Sequence, residues 1–220
     1  MNFLARSAKR FQQQAAQILD ANPTPSVNAP LSLFTFPADV DKMIVGSDAD
    51  YKSTSTSTVS CTPRTENGES FLRFSGKTAG DGYAAMRSKV EPSSFYGVPT
   101  TDVSPYKFLT LRLRGDARRY FINLQTESYL ETDLYQHRVF LTSQGTGTWE
   151  NVTLKWNDFT LTNNGQIQEK QVAMDKYRLK TVGISVLDRL PGKFELDVQW
   201  IRAENDAGAS NDNMNDVNSL

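Results

Sequence analysis

The chain has 220 residues, with 24 Lys plus Arg against 25 Asp plus Glu and a single Cys and a single His. That length suits one large domain or two small ones and is ample for a single well-buried core, and the balanced charge speaks against a nucleic-acid partner, since neutralising phosphates takes an excess of basic groups. One Cys excludes an intrachain disulfide framework and an all-thiolate zinc site, one His excludes paired-histidine metal centres, and no run of about eighteen apolar residues is present to cross a bilayer as a helix.

Residues 1–20 differ from everything after them. Arg6, Lys9 and Arg10 are present, and no acid precedes Asp20. Leu4, Ala8, Phe11, Ala15 and Ile18 recur at helical spacing, and Phe3 and Leu19 widen the stripe, which predicts a basic amphipathic helix. Three readings of it stand side by side: a mitochondrial transit peptide, a retained helix lying in a membrane interface, or a helix packed on its own domain. In the interfacial reading Phe3, Leu4, Phe11, Ile18 and Leu19 enter the apolar layer, and Arg6, Lys9 and Arg10 meet anionic headgroups. Residues 21–30 (ANPTPSVNAP) hold three prolines and read as an extended linker.

From Leu31 onward a period of two takes over. Leu109, Leu111 and Leu113 alternate with Thr110, Arg112 and Arg114. Tyr120, Ile122, Leu124 and Thr126 alternate with Phe121, Asn123 and Gln125. Phe194, Leu196, Val198 and Trp200 alternate with Glu195, Asp197 and Gln199. This is the pattern of half-buried antiparallel strands. Weaker strands are expected at 70–75, 83–90, 135–141, 149–156 and 179–187. Turn chemistry separates them at Glu66-Asn67-Gly68, Ala79-Gly80-Asp81-Gly82, Arg114-Gly115-Asp116, Asn163-Asn164-Gly165 and Leu190-Pro191-Gly192. Eight or more such strands make an all-β, two-sheet sandwich or jelly roll over residues 31–204. Ser53–Ser57 (STSTS) reads as a sheet edge or a loop, and residues 205–220 as a disordered polar tail.

Chemistry-bearing residues are few. His137 shares its phase with Tyr135 and Val139 but has no nucleophile elbow to serve. Cys61 lies in a Ser/Thr-rich stretch, expected as a loop, without a reactive-thiol signature. Asp39, Asp41, Asp48 and Asp50 lack the spacing of a calcium loop and suit turns. Glu127, Glu131 and Asp133 read as a solvated acidic loop rather than a glycosidase pair. In Arg114-Gly115-Asp116 the expectation is a hairpin tip, Gly115 supplying an unusual φ. Tyr129, Tyr135 and Trp149, near strand ends, are the candidates for a ligand or partner face. Catalytic residues, metal ligands and cofactors are expected to be absent.

Five segments in order carry a resemblance: Ser47-Asp48-Ala49-Asp50, Gly82-Tyr83-Ala84-Ala85-Met86-Arg87, the run from Leu111 to Tyr120 (LRLRGDARRY), Trp156-Asn157-Asp158-Phe159 and Val182-Gly183-Ile184-Ser185. With Gly192-x-Phe194-x-Leu196 they resemble the complex I intermediate-associated protein family, also called NADH:ubiquinone oxidoreductase complex assembly factor 1. Tyr51-Lys52-Ser53 and Ala117 depart from glycines that are usual there. The resemblance implies a galactose-binding-like jelly roll without established catalysis. It further implies a mitochondrial chaperone that binds membrane-arm assembly intermediates of respiratory complex I at the matrix side of the inner membrane and leaves before maturation. Other assembly factors are possible partners, and anionic phospholipid, cardiolipin above all, is the expected contact of the N-terminal helix. The rival reading is a carbohydrate-binding jelly-roll module.

Overall fold

A computed structural model describes residues 29–90, 98–128, 130 and 132–206. The N-terminal helix, most of the 21–30 linker, the tail beyond Asp206, Tyr129 and Glu131 lie outside the described residues. Among the described residues thirteen strands follow in chain order: β1 Leu31–Thr35, β2 Met43–Ser47, β3 Thr58–Glu66, β4 Glu69–Thr78, β5 Ala84–Ser88, β6 Phe108–Gly115, β7 Tyr120–Thr126, β8 Asp133–Arg138, β9 Glu150–Lys155, β10 Thr160–Asn163, β11 Gln166–Ile167, β12 Leu179–Val186 and β13 Gly192–Glu204.

They form two antiparallel sheets. One runs β3-β4-β13-β6-β9, with β1 also on β13, and the other runs β11-β10-β8-β7-β12-β5-β2. The alternation read from sequence places the inward rows: Leu109, Leu111 and Leu113 of β6 face Ile122 and Leu124 of β7 across one core that also takes Leu72, Phe74, Ile184 and Leu196. The two Asn-Gly turns behave as their chemistry demands. Asn67-Gly68 joins β3 to β4 and Asn164-Gly165 joins β10 to β11, all four residues at positive φ between 48° and 81°. These are two-residue hairpins whose twist matches that of the strands. Pro63 is accommodated because β3 is an edge strand, where one side of the backbone needs no partner.

Three expectations need correction. Trp200 does not continue the inward row of Phe194, Leu196 and Val198. The pairing of β13 with β6 shifts between Val198 and Trp200, so Ile201 and Ala203 enter the core and Trp200 turns out beneath the Arg202 guanidinium, 4.2 Å from its ring centre. A bulge inserts one residue and inverts everything after it. Gly115 has no positive φ; it ends β6 in close contact with two leucine side chains, where an added Cβ would lie 2.7 Å from Leu196 Cδ1 and 2.9 Å from Leu141 Cδ1 and those side chains would have to shift. Cys61 is in strand β3, not in a loop, with its Sγ 3.4 Å from Met86 Sδ. The STSTS stretch precedes β3 as a loop, anchored where Ser57 Oγ accepts the Ala79 N–H at 2.9 Å.

Candidate functional site

The chemistry expected to be weak in sequence is structural in space. His137 Nδ1 lies 2.7 Å from the Arg138 carbonyl oxygen and its ring 5.3 Å from Phe159; neither neighbour is a nucleophile or an orienting acid. Asp50 caps its own one-turn helix by accepting the Ser47 N–H at 2.8 Å. Asp39 accepts the Thr35 N–H at 2.7 Å and pairs with Lys42 at 2.8 Å. Glu127 is bound to Arg178, and Asp133 accepts from Ser128 and Asn163. No group of three or more His, Cys, Asp or Glu suited to a metal is present among the described residues.

Asp48 is 5% exposed and accepts the Tyr83 N–H at 3.2 Å. Burial pushes its carboxyl up, but the Ser55 and Ser57 hydroxyls and that N–H together hold it below its ordinary value, although its Oδ2 makes no hydrogen bond of normal geometry. Gly82 fits against this cluster because a Cβ there would sit 2.6 Å from Ser57 Oγ and 2.7 Å from Asp48 Oδ1. Two of the sequence segments quoted above are thereby one packing unit.

The segment Leu111–Tyr120 is a second. Asp116 accepts the Tyr120 hydroxyl at 2.9 Å, the Arg118 N–H at 3.0 Å and the Glu195 N–H at 2.8 Å. Arg118 donates to both oxygens of Asp188, to the carbonyls of Leu190, Gly192 and Lys193, and to Thr78 Oγ1. One guanidinium thus ties together the β6–β7 turn, the β12–β13 loop and the end of β4.

Two outer sheet faces carry clusters of polar and aromatic side chains. On the outer face of the β3–β9 sheet, Asp197 is 2% exposed and holds two arginines, Arg73 through Nε at 2.8 Å and Arg114 through Nη2 at 2.6 Å. Glu66 completes the pair-wise neutralisation at 3.2 and 2.9 Å. Above this ionic layer the Arg114 guanidinium lies 4.9 Å from the Phe71 ring and 4.8 Å from that of Trp149, and the two rings meet edge-on at 5.5 Å. Cation–π contact and ion pairing lock the same group. Trp149 is half-buried here, with Arg112 5.8 Å from its ring. Tyr135 belongs to the opposite sheet and faces inward, 8% exposed, donating its hydroxyl to the Ala173 carbonyl at 3.3 Å. The two are therefore not brought together. Sequence reasoning missed Asp197, Arg73 and Arg114 as a unit; their outward phase in three strands was the only available signal.

On the outer face of the other sheet a polar ladder crosses three strands: Gln136 Nε2 donates to Asn123 Oδ1 at 2.7 Å, and Asn123 Nδ2 to Ser185 Oγ at 2.9 Å. Gly183 beside it leaves room for Arg87, whose Cβ would lie 3.0 Å from a Cβ at that position.

A sequence profile described as complex I intermediate-associated protein 30 (CIA30) matches residues 32–198, which is almost the whole sandwich. A protein named complex I intermediate-associated protein 30, mitochondrial, from Neurospora crassa is 42% identical over 125 residues, covering 57% of this chain and 44% of that one. Its namesake from Drosophila melanogaster is 28% identical, covering 92% and 73%. The chain thus spans less than half the length of the Neurospora relative. Among solved structures, the family 11 carbohydrate-binding module of the cellulosomal cellulase Lic26A-Cel5E of Clostridium thermocellum superposes with a TM-score of 0.59 at 13% identity, over 82% of this chain and 97% of that one. The family 30 module of cellulase Cel9D-Cel44B gives 0.51 at 15%, over 82% and 95%. These likenesses establish the jelly-roll fold. The profile match across the sandwich, with the motif residues packed as above, establishes that the chain belongs to the complex I intermediate-associated protein 30 family.

Proposed function

We propose that this chain is a non-catalytic assembly factor for respiratory complex I in the mitochondrion. The profile match over residues 32–198 carries this reading, supported by the mitochondrial, complex I-associated names of its relatives. In the finer form of the proposal, the sandwich binds membrane-arm intermediates at the matrix side of the inner membrane and leaves before maturation. The basic helix expected over residues 1–20 holds it on cardiolipin-rich bilayer through Phe3, Leu4, Phe11, Ile18 and Leu19, with Arg6, Lys9 and Arg10 at the headgroups.

The partner-binding surface in this proposal is the outer face around Trp149, with Tyr129 as a further candidate; Tyr135, buried on the opposite sheet, is not part of that face. Arg and Trp are the residue types that dominate interface energetics, and the Asp197-anchored arginines are already immobilised, so little ordering entropy is lost on docking. Deleting the gene should stall complex I with membrane-arm subassemblies while other respiratory complexes assemble. The tagged protein should co-migrate with those subassemblies and be absent from the mature enzyme. Normal complex I in the deletion strain defeats the reading. Flotation with cardiolipin vesicles should be lost in a Leu4→Asp, Phe11→Asp variant; equal flotation removes the membrane contact.

A carbohydrate-binding reading draws on the Gln136–Asn123–Ser185 ladder, which offers amide and hydroxyl groups across an open sheet face in a fold shared with carbohydrate-binding modules. Glycan-array binding that is abolished by Asn123→Ala would favour it over the assembly role.

A further inference from the structure

Where β6 begins and β9 ends, a groove of about 570 Å³ is lined by residues 104–108, residues 155–158 and Lys176. Lys107, Lys155 and Lys176 line it, against Asp158 as an acidic neighbour, on a chain whose net charge is −1. Each lysine is placed by a different element. Lys155 is the last residue of β9 and Lys176 starts the one-turn helix before β12, its carbonyl bound by the Val103 N–H at 2.8 Å. Lys107 is tethered through its backbone N–H to Asn205 Oδ1 at 3.0 Å. None of the three ammonium groups has an ion-pair or hydrogen-bond partner among the described residues, whereas Asp197 and Asp188 elsewhere each bind arginine.

Trp156, also lining the groove, is 3% exposed, and its indole N–H has no acceptor among the described residues. Buried donors are normally satisfied; the Trp149 indole N–H shares this lack of an acceptor among the described residues, but only Trp156 lines the groove. Three lysines with no ion pair among the described residues, lining one aromatic-walled groove of ligand size whose wall includes a buried indole N–H without an acceptor, have the chemistry of an anion site. Lysine binds phosphate as a point charge, while planar carboxylates are better matched by arginine forks.

We infer that this groove binds a phosphate-bearing anion, with Lys107, Lys155 and Lys176 neutralising the phosphate and Trp156 forming the wall beneath it. A phospholipid headgroup and a soluble phosphate compound share that chemistry. The site goes beyond the assembly reading and does not involve residues 1–20.

The test uses the full chain and the three indole N–H resonances, with the Trp156 signal identified by its loss in Trp156→Phe. Titration with inorganic phosphate should shift that signal, acetate at equal ionic strength should not, and Lys107→Gln with Lys155→Gln and Lys176→Gln should weaken the response at least tenfold. The single variant Lys155→Gln, expected to weaken it severalfold, serves if the triple variant misfolds. A second arm measures co-sedimentation with phosphatidylcholine vesicles with and without phosphatidylglycerol. Groove-dependent binding to the anionic vesicles assigns the site to a headgroup; a groove-dependent phosphate response with unchanged vesicle binding assigns it to a soluble phosphate. An equal response to acetate, or no dependence of either arm on the lysines, overturns the inference. Loss of vesicle binding through Leu4→Asp and Phe11→Asp, with the phosphate response intact, would concern the N-terminal helix alone.

Discussion

Arg118 meets Asp188 through two hydrogen bonds, Nε to Oδ2 at 2.6 Å and Nη2 to Oδ1 at 2.7 Å. The carboxylate side chain is 1% exposed and the guanidinium 12%, so neither charge has water to fall back on. Removing one partner of such a pair strands the other, at a cost of about 3–5 kcal/mol. Arg118→Met should lower the urea midpoint accordingly, and Arg118→Lys should recover only part, because one ammonium cannot reach Thr78 and three carbonyls at once.

The same pair sets an acid limit. Burial pushes the Asp188 carboxyl up, but hydrogen bonds from Arg118 and from the Leu190 and Arg119 N–H groups outweigh it and hold it below its ordinary value. A depressed folded-state value means that the stabilisation is complete above the unfolded carboxylate pKa, near 3.8. It is lost as pH falls through the lower folded value. Stability measured from pH 6 to pH 2 should drop more steeply in the parent than in Asp188→Asn.

Asp197 anchors two arginines, so Asp197→Ala should leave Arg73 and Arg114 facing each other and cost about 3–5 kcal/mol by denaturant unfolding. Asp197→Asn keeps the hydrogen-bond acceptor and should cost less. If the Trp149 face is the docking surface, Trp149→Ala should reduce co-purification with assembly intermediates while the fold is retained.

Gly183 sits in β12 where an added Cβ would come within 2.7 Å of the Met86 carbonyl oxygen and 3.0 Å of Arg87 Cβ. Backbone cannot move aside as a flexible side chain would, so Gly183→Ala should destabilise by about 1–3 kcal/mol. A neutral effect in thermal unfolding would show that β5 and β12 separate more easily than their pairing suggests.

Burial pushes the Cys61 thiol up to about 12. Since only the thiolate reacts, alkylation at pH 8 should be about a thousandfold slower in the native protein than in urea, by the difference in ionised fraction. The native rate should rise as pH increases toward that value. Cys61→Ala should leave assembly activity intact.

Period-two alternation made β4 to β9, β12 and most of β13 legible, because half-buried strands need one apolar face and one polar face whatever they pair with. The Asn67-Gly68 and Asn163-Asn164-Gly165 turns were legible because few residues tolerate positive φ. The short strands β1, β2, β10 and β11 were not, since a few residues cannot establish a period and their pairing depends on neighbours far along the chain; nor was β3, whose Ser, Thr and charged residues give little apolar alternation. Trp200 was assigned to the wrong face because a bulge leaves no mark on composition: it arises where β13 must pair with β6 along one stretch and with β4 and β1 along the other edge.

The sequence alone determined the fold class, through alternation and turn chemistry that act over a few residues, and the thin catalytic inventory, through counts of Cys and His that no folding can change. Only the tertiary structure decided what the charged residues do. Asp197 finds Arg73 124 residues away and Arg114 83 away, Arg118 finds Asp188 70 away, and Lys107, Lys155 and Lys176 line one groove with no ion pair among the described residues. Local patterning acts within a strand, whereas ion pairing depends on which strands are neighbours, and strand order is settled by burial of the whole core.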